Sequence, residues 1–218
     1  GYGTSPAFTE IFKDIKSDKY KNDIESIRYA LHRNADAKAS NIKNKLTSFT
    51  TSGTFGANRT KTNINSYSQI LCLDFDDIPV TEINHLSSVI NQCKYTFASF
   101  ISPSGTGLKV FIQINSNAEQ HTTVYNHVAN FYKDLSGYDV DAKCKDITRL
   151  CFVSYDAELF LNENANIFEI KEEPVISEKP YQPLQQNPTD VLLDKSLKYT
   201  EKKEKYYNWN RNNFIFLF

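Results

Sequence analysis

The stretch that most limits what this chain can become is Gln69-Ile-Leu-Cys-Leu-Asp-Phe-Asp-Asp77. It opens as an apolar run suited to a buried strand and closes with Asp74, Asp76 and Asp77, three carboxylates in four positions. Side chains alternate across a strand, so Leu71, Leu73 and Phe75 share one face while Cys72, Asp74 and Asp76 share the other. Adjacent acids on one face repel unless something positive sits between them. A divalent metal ion held by carboxylate oxygens meets that need. The plainer alternative is an acidic strand end leading into a helix that starts near Thr81.

Around this stretch the pattern predicts an α+β fold. Residues 1–17 carry little pattern. Ile24, Ile27 and Leu31 recur at helical spacing within Asp18–His32. Leu46–Thr51 reads as a strand running into the loop Ser52-Gly-Thr-Phe-Gly-Ala-Asn-Arg59, a surface hairpin or, with Arg59 and Lys61, a contact for a phosphate backbone. A strand over 70–76 is followed by a helix at about 81–93 and a strand over Lys94–Ile101. The turn Ser102-Pro-Ser-Gly-Thr-Gly107 leads into an alternating strand, Leu108–Ile114. A helix at about 118–135, opened by Asn117 as N-cap, and a strand over Arg149–Tyr155 complete a β-α-β-β-α-β order across 70–155. That is the ferredoxin-like arrangement, with its first and third strands central and both helices on one face. The other face, taken as open, then carries Asp74 and Asp76 with Lys109 and Arg149, and also Phe111.

Acids at a strand end beside bases and a glycine-rich turn match the needs of phosphoryl or nucleotidyl transfer. Two metal ions roughly 3.5–4 Å apart can clamp the attacking and leaving oxygens of an in-line displacement. A third acid usually completes such a set, and Asp141 and Asp146 are the candidates. Lys109 and Arg149 suit a triphosphate, one as a point charge and one as a fork. Backbone N–H groups and hydroxyls of Ser102, Ser104, Gly105 and Gly107 could line phosphate oxygens.

Composition removes several classes. With a formal charge of −1 over 218 residues there is no bulk basic signal, so a polyanion would have to be met by a local patch. Nothing approaches the ~20 consecutive apolar residues of a membrane span. Four scattered cysteines without a C-x-x-C pair fit reduced thiols in a cytoplasmic protein rather than a zinc site. Residues 171–190 hold four of the seven prolines and read as a linker, so 1–170 is expected to form the domain. Beyond it 191–218 looks helical and ends in Asn213-Phe-Ile-Phe-Leu-Phe218, an aromatic run expected to continue into a further domain.

Four motifs in order resemble the N-terminal domain of the virulence-associated E proteins of mobile elements. They are Ser52-Gly-Thr-Phe55, Leu73-Asp-Phe-Asp-Asp77, Ser102-Pro-Ser-Gly-Thr-Gly-Leu-Lys-Val110, and Asp141…Asp146-Ile-Thr-Arg149…Ser154-Tyr-Asp156. That domain is similar to a branch of the archaeo-eukaryotic primase (primase-polymerase) superfamily. The resemblance implies a metal-dependent primase with Mg2+ or Mn2+ and nucleoside or deoxynucleoside triphosphates as substrates. A single-stranded DNA template and a C-terminal helicase domain are the implied partners. It places the acid-x-acid pair on Asp74 and Asp76 and the third acid on Asp141 rather than Asp146. It puts phosphate contacts on Ser104, Gly105 and Gly107, with Lys109 standing where the superfamily has a histidine.

Two other classes share the β-α-β-β-α-β order. A nucleic-acid-binding module of RRM type, attached to a helicase, would stack bases on sheet aromatics, and Phe111 is its one candidate. A rolling-circle initiator needs paired histidines and a tyrosine. His32, His85, His121 and His127 form no such pair and read as surface or partly buried residues.

Overall fold

The apolar run at 70 does become a buried strand, but at the edge of its sheet rather than at the expected centre. In a computed structural model residues 6–170 are described, with side chains from Phe8 onward. The linker expected at 171–190 and the helical segment expected at 191–218 lie outside the described residues. The domain is α+β, with five α-helices among those residues: α1 (Pro6–Lys16), α2 (Lys21–His32), α3 (Asp36–Lys43), α4 (Ile83–Asn91) and α5 (His121–Ser136). The main sheet comprises β4 (Ile70–Phe75), β5 (Thr96–Ile101), β6 (Leu108–Gln113) and the short β8 (Phe160–Leu161), in the order β4-β6-β5-β8. Two small ribbons flank it. One pairs β1 (Ser48–Thr50) with β7 (Leu150–Phe152), and the other is the hairpin of β2 (Gly53–Phe55) and β3 (Ile64–Tyr67).

The first three strands follow the expected order, with β4 and β6 adjacent and β5 beyond. Antiparallel pairing sets Leu71 opposite Ile112, Leu73 opposite Val110 and Phe75 opposite Leu108. These side chains are fully buried against Ile83, Leu86 and Ile90 of α4 and Val124, Tyr125, Val128 and Tyr132 of α5. Each such residue is worth about 1.5–3 kcal/mol when buried. The alternate row faces the other way, Cys72 opposite Phe111 and Asp74 opposite Lys109. A bulge in β5 between Thr96 and Ala98 turns Phe97, Ala98 and Phe100 all towards that second side.

Four expectations need correction. The second face is not open: Phe8, Phe12 and Ile15 of α1 and Ile24, Ile27 and Ala30 of α2 cover most of it. Helix α1 falls within the stretch taken as featureless, although Phe8, Ile11, Phe12 and Ile15 repeat at i, i+3, i+4 and i+7. Nor does the fourth strand lie beside β4. The Asp141 N–H takes the Asp74 carbonyl at 2.8 Å instead, and β7 crosses to pair with β1, Cys151 opposite Phe49. Cys151 and Val153 join the core over the second face. Finally, α5 starts at His121 rather than at 118. Asn117 closes the preceding turn, its Oδ1 accepting from Gln120 N at 3.0 Å, and no side chain caps the helix itself.

Candidate active site

The covering layer stops short of one end of the sheet, and the predicted acids and bases gather there. A cavity of about 500 Å³ is lined by Asp74, Asp76, Ser102, Ser104, Lys109, Asp146 and Arg149 among the expected residues. Arg59 lines it too, its guanidinium donating to the Thr148 carbonyl. Lys43, Pro103, Thr148, Leu150 and Phe152 complete the wall, and none of these five carried a sequence signal strong enough to select it.

Asp74 sits at the inner end of this cavity. It is 6% exposed, and the Lys109 ammonium bonds its Oδ2 while Oδ1 is buried without a hydrogen-bond partner. Burial opposes the Lys109 charge, but the neighbouring Cys151, Asp74 and Cys72 outweigh it and its pKa is raised. Asp76 lies beyond the strand end, exposed. Enclosure of its carboxyl, and then the charge on Asp74, push its pKa above the usual carboxylate range. Asp77 turns the chain away with φ 57°, a left-handed conformation that a short polar side chain tolerates.

Of the two candidates for the third acid, Asp141 is the one brought to Asp74. One carboxylate oxygen of each, with the Cys144 sulfur, lie within 4.8 Å of one another. Asp141 is held by backbone: its N–H bonds Asp74, its carbonyl accepts from Tyr125 Oη at 2.9 Å, and its Oδ1 accepts from Lys143 N at 2.9 Å. Arg149 Nη2 is 3.8 Å from its Oδ2. Asp146 instead caps its own loop, its Oδ1 accepting from both Thr148 N and Thr148 Oγ1 at 3.0 Å. Those bonds, the backbone one first, lower its pKa.

These donors fit a hard divalent cation. Carboxylate oxygens are the ligands Mg2+ takes, and Asp74 Oδ1 is a buried acceptor with nothing to accept. The Cys144 thiol is a soft ligand ill suited to such an ion; burial, then the Asp74 charge, push its pKa up to about 12.

The turn at 102–107 is built rigidly. Ser102 N bonds the Gly107 carbonyl at 2.8 Å, and hydroxyls of Ser102, Ser104 and Thr106 are chained at 2.9 and 3.1 Å. Gly105 adopts φ 81°, and a Cβ on Gly107 would stand 2.6 Å from the Phe75 carbonyl and 3.1 Å from Asp76 Oδ1. Beneath the turn lies Arg28 of α2, which the sequence did not single out. Its Nη2 donates to the carbonyls of Ser102 and Tyr155, both at 3.2 Å. The Ser154-Tyr-Asp156 motif is structural, with Ser154 Oγ bonding the Ile101 carbonyl and Asp156 Oδ2 accepting from Ile101 N.

Of the expected residues, Asp141, Gly105 and Gly107 are not among those lining the cavity, and Phe111 and Lys61 lie away from it. Phe111 is fully buried, ringed by Phe8, Phe12, Phe49 and Phe100 with centroids 5.2–6.4 Å away. It cannot stack a base. Lys61 lies on the neighbouring pocket with His121, which is 2% exposed, so this histidine is a core residue rather than a surface one. The four cysteines are free thiols.

Fold and cavity together define an α+β domain with an acid-and-cation pocket at one end of its central sheet. Residues 41–161 match the family described as BT4734-like, N-terminal domain, and the chain belongs to that family. All four motifs quoted above fall within the match; α1, α2 and Arg28 precede it. No curated protein and no solved structure matches the chain. Among the described residues no helix is long and apolar enough to cross a membrane.

Proposed function

We propose that this domain is a nucleotidyltransferase of the primase-polymerase type, adding nucleotides from triphosphates on a single-stranded DNA template. The observation that carries the reading is Asp74: its Oδ1 is buried and partnerless, and its carboxylate gathers with that of Asp141 at the foot of a cavity walled by Lys43, Arg59, Lys109 and Arg149. Asp74 and Asp141, with Asp76 at the rim, are the residues that would hold Mg2+ or Mn2+. When bound, such ions supply the charge that steadies the attacking and leaving oxygens of an in-line displacement. Lys109 and Arg149 neutralise the triphosphate, and the hydroxyls and N–H groups of the 102–107 turn orient it. Asp146, tied to Thr148, shapes the loop that aims Arg149.

The test is incorporation of labelled nucleotides on single-stranded DNA with Mn2+. The wild-type chain is expected to make or extend oligonucleotides, and Asp74→Ala with Asp76→Ala is not. Equal incorporation by both refutes the assignment.

A second reading, a relative that binds nucleotide without synthesis, is favoured by the ion pair itself: Lys109 already occupies Asp74 Oδ2, an oxygen a metal would otherwise use. It predicts nucleotide binding that needs no divalent ion and survives Asp76→Ala. The RRM-type reading loses its stacking residue, since Phe111 lies under α1.

A further inference from the structure

Behind the 146–148 loop lies a second pocket, of about 240 Å³, that the catalytic reading leaves unused. It opens at the start of α5, whose 16 residues begin without a side-chain cap. The first N–H groups of a helix have no partner within it and present a partial positive charge. Thr122 of that first turn lines the pocket, and so does Lys61.

The second observation concerns His121. The residue is buried, its Nδ1 is 2.9 Å from the Tyr67 hydroxyl, and its Nε2 is buried with no partner. Burial lowers the pKa of this ring to about 4, against the pull of Asp146 and with the help of Lys61, and so holds it neutral. Assigning the Tyr67 hydroxyl as donor to Nδ1 puts the single ring proton on Nε2. A buried donor with nothing to bond is costly, and here it lines a pocket that a helix start and a lysine also face.

The two pockets are lined by neighbouring residues of the same two segments. Arg59 lines the catalytic cavity and Lys61, two residues on, lines this one. Ile147 lines this pocket while its neighbours Asp146 and Thr148 line the other. A strand whose reacting end lies in the first would pass over the second.

We propose that this pocket receives one backbone phosphate of the bound single strand, held by Lys61, the N–H groups at the start of α5 and His121 Nε2–H. The inference rests on the nucleic-acid reading above and specifies where the strand is gripped outside the catalytic cavity. Glu119 also lines the pocket and opposes an anion, so its removal should tighten binding.

The experiment measures binding of a labelled single-stranded oligodeoxynucleotide to the full chain over a range of salt. Each phosphate neutralised on a single strand contributes about 0.7 to the slope of log K against log salt. Lys61→Gln and Thr122→Glu should each weaken binding several-fold and flatten that slope by about 0.7, and Glu119→Gln should strengthen binding. Thr122→Glu is the decisive variant, since a carboxylate in the first turn favours the helix and should leave thermal stability unharmed. Titration with inorganic phosphate forms the control arm: saturation of the pocket by free phosphate with unchanged oligonucleotide slopes overturns the proposal. So does a wild-type chain that binds no single strand. Asp74→Ala with Asp76→Ala separates the two claims. Loss of synthesis there with unaltered slopes in Lys61→Gln and Thr122→Glu sinks the phosphate grip and spares the catalytic reading. Flattened slopes with synthesis unaffected by the acids do the reverse.

Discussion

Replacing Lys109 by Met should cost the domain much of its stability, in a pH-dependent way. The ammonium bonds Asp74 Oδ2, and the two side chains are only 12% and 8% exposed. Met matches the stem of Lys in volume, so packing is kept and the charge alone is lost. Asp74 then keeps only the long contact from the Cys144 thiol to Oδ2 at 4.0 Å, because Oδ1 is already without a partner. Removing one member of a buried pair costs about 3–5 kcal/mol. The cavity beside Asp74 lets water reach the carboxylate, so the lower end applies, about 3 kcal/mol or more than a hundredfold in the folding equilibrium. An uncompensated buried carboxylate has its pKa raised relative to the unfolded chain. Its folded state therefore binds the proton more tightly, and the deficit is present at pH 7 and shrinks as the pH falls towards that of the unfolded acid. Urea unfolding of wild type and Lys109→Met at pH 7 and near pH 4.5 measures both effects, and Asp74→Asn in the Met background should recover part of the loss. A deficit below about 1 kcal/mol, the range of exposed pairs, or one equal at both pH values, refutes the reasoning.

Gly107→Ala should cost about 1–3 kcal/mol as overpacking, because the new methyl meets the Phe75 carbonyl. It should also weaken Mn2+-dependent activity by displacing Asp76, read by unfolding and incorporation side by side. Asp76→Asn should raise the melting temperature at neutral pH, since the raised pKa of Asp76 means its ionised form opposes folding. That gain should shrink as the pH falls towards about 4 and vanish below about pH 3, where the acid is neutral in both states; a calorimetric pH series checks it. Phe111→Ala should lose about 3–5 kcal/mol of stability while nucleic-acid affinity of the folded fraction stays unchanged, which separates a core aromatic from a stacking one.

Local chemistry was legible where one strand carried it. The order of β4, α4, β5, β6 and α5 follows from period-2 and helical spacing, and the Asp74–Lys109 pairing follows from antiparallel register. What could not be read was which layer covers the second face. Alternation places Phe111 on that face but says nothing of what lies above it, and α1 and α2 are remote in sequence from β6. Arg28 was invisible for the same reason: its role is a pair of hydrogen bonds to Ser102 and Tyr155, 74 and 127 residues away. The pattern of α1 was present in Phe8, Ile11, Phe12 and Ile15, and a scan of the first residues for helical spacing would have found it. The position of β7 is different again, since the β4 edge was claimed by a single backbone bond from Asp141 that no side-chain pattern announces.

The division of that second face explains why a costly arrangement persists at its end. Under α1 and α2 the sheet presents Phe97, Phe100 and Phe111, whose burial holds the N-terminal helices down. One register step along β6 the next residue on that face is Lys109, and one step along β4 from Cys72 it is Asp74. Continuing the aromatic row there would let the covering helices run to the sheet end and close the cavity. The charged pair forbids that, because closing the cavity over it would raise its desolvation cost further. The turn at 102–107, tied by Arg28 to α2, then forms a wall where the helices stop. Stability is thus concentrated in the aromatic half, and the acid-and-base half is free to hold a partnerless Asp74 oxygen whose cost the rest of the core offsets. A chain with Asp74 and Lys109 both replaced by Leu should accordingly be more stable than wild type and show a smaller cavity. Were it less stable, the charged end would be a structural requirement rather than a site kept open for a ligand.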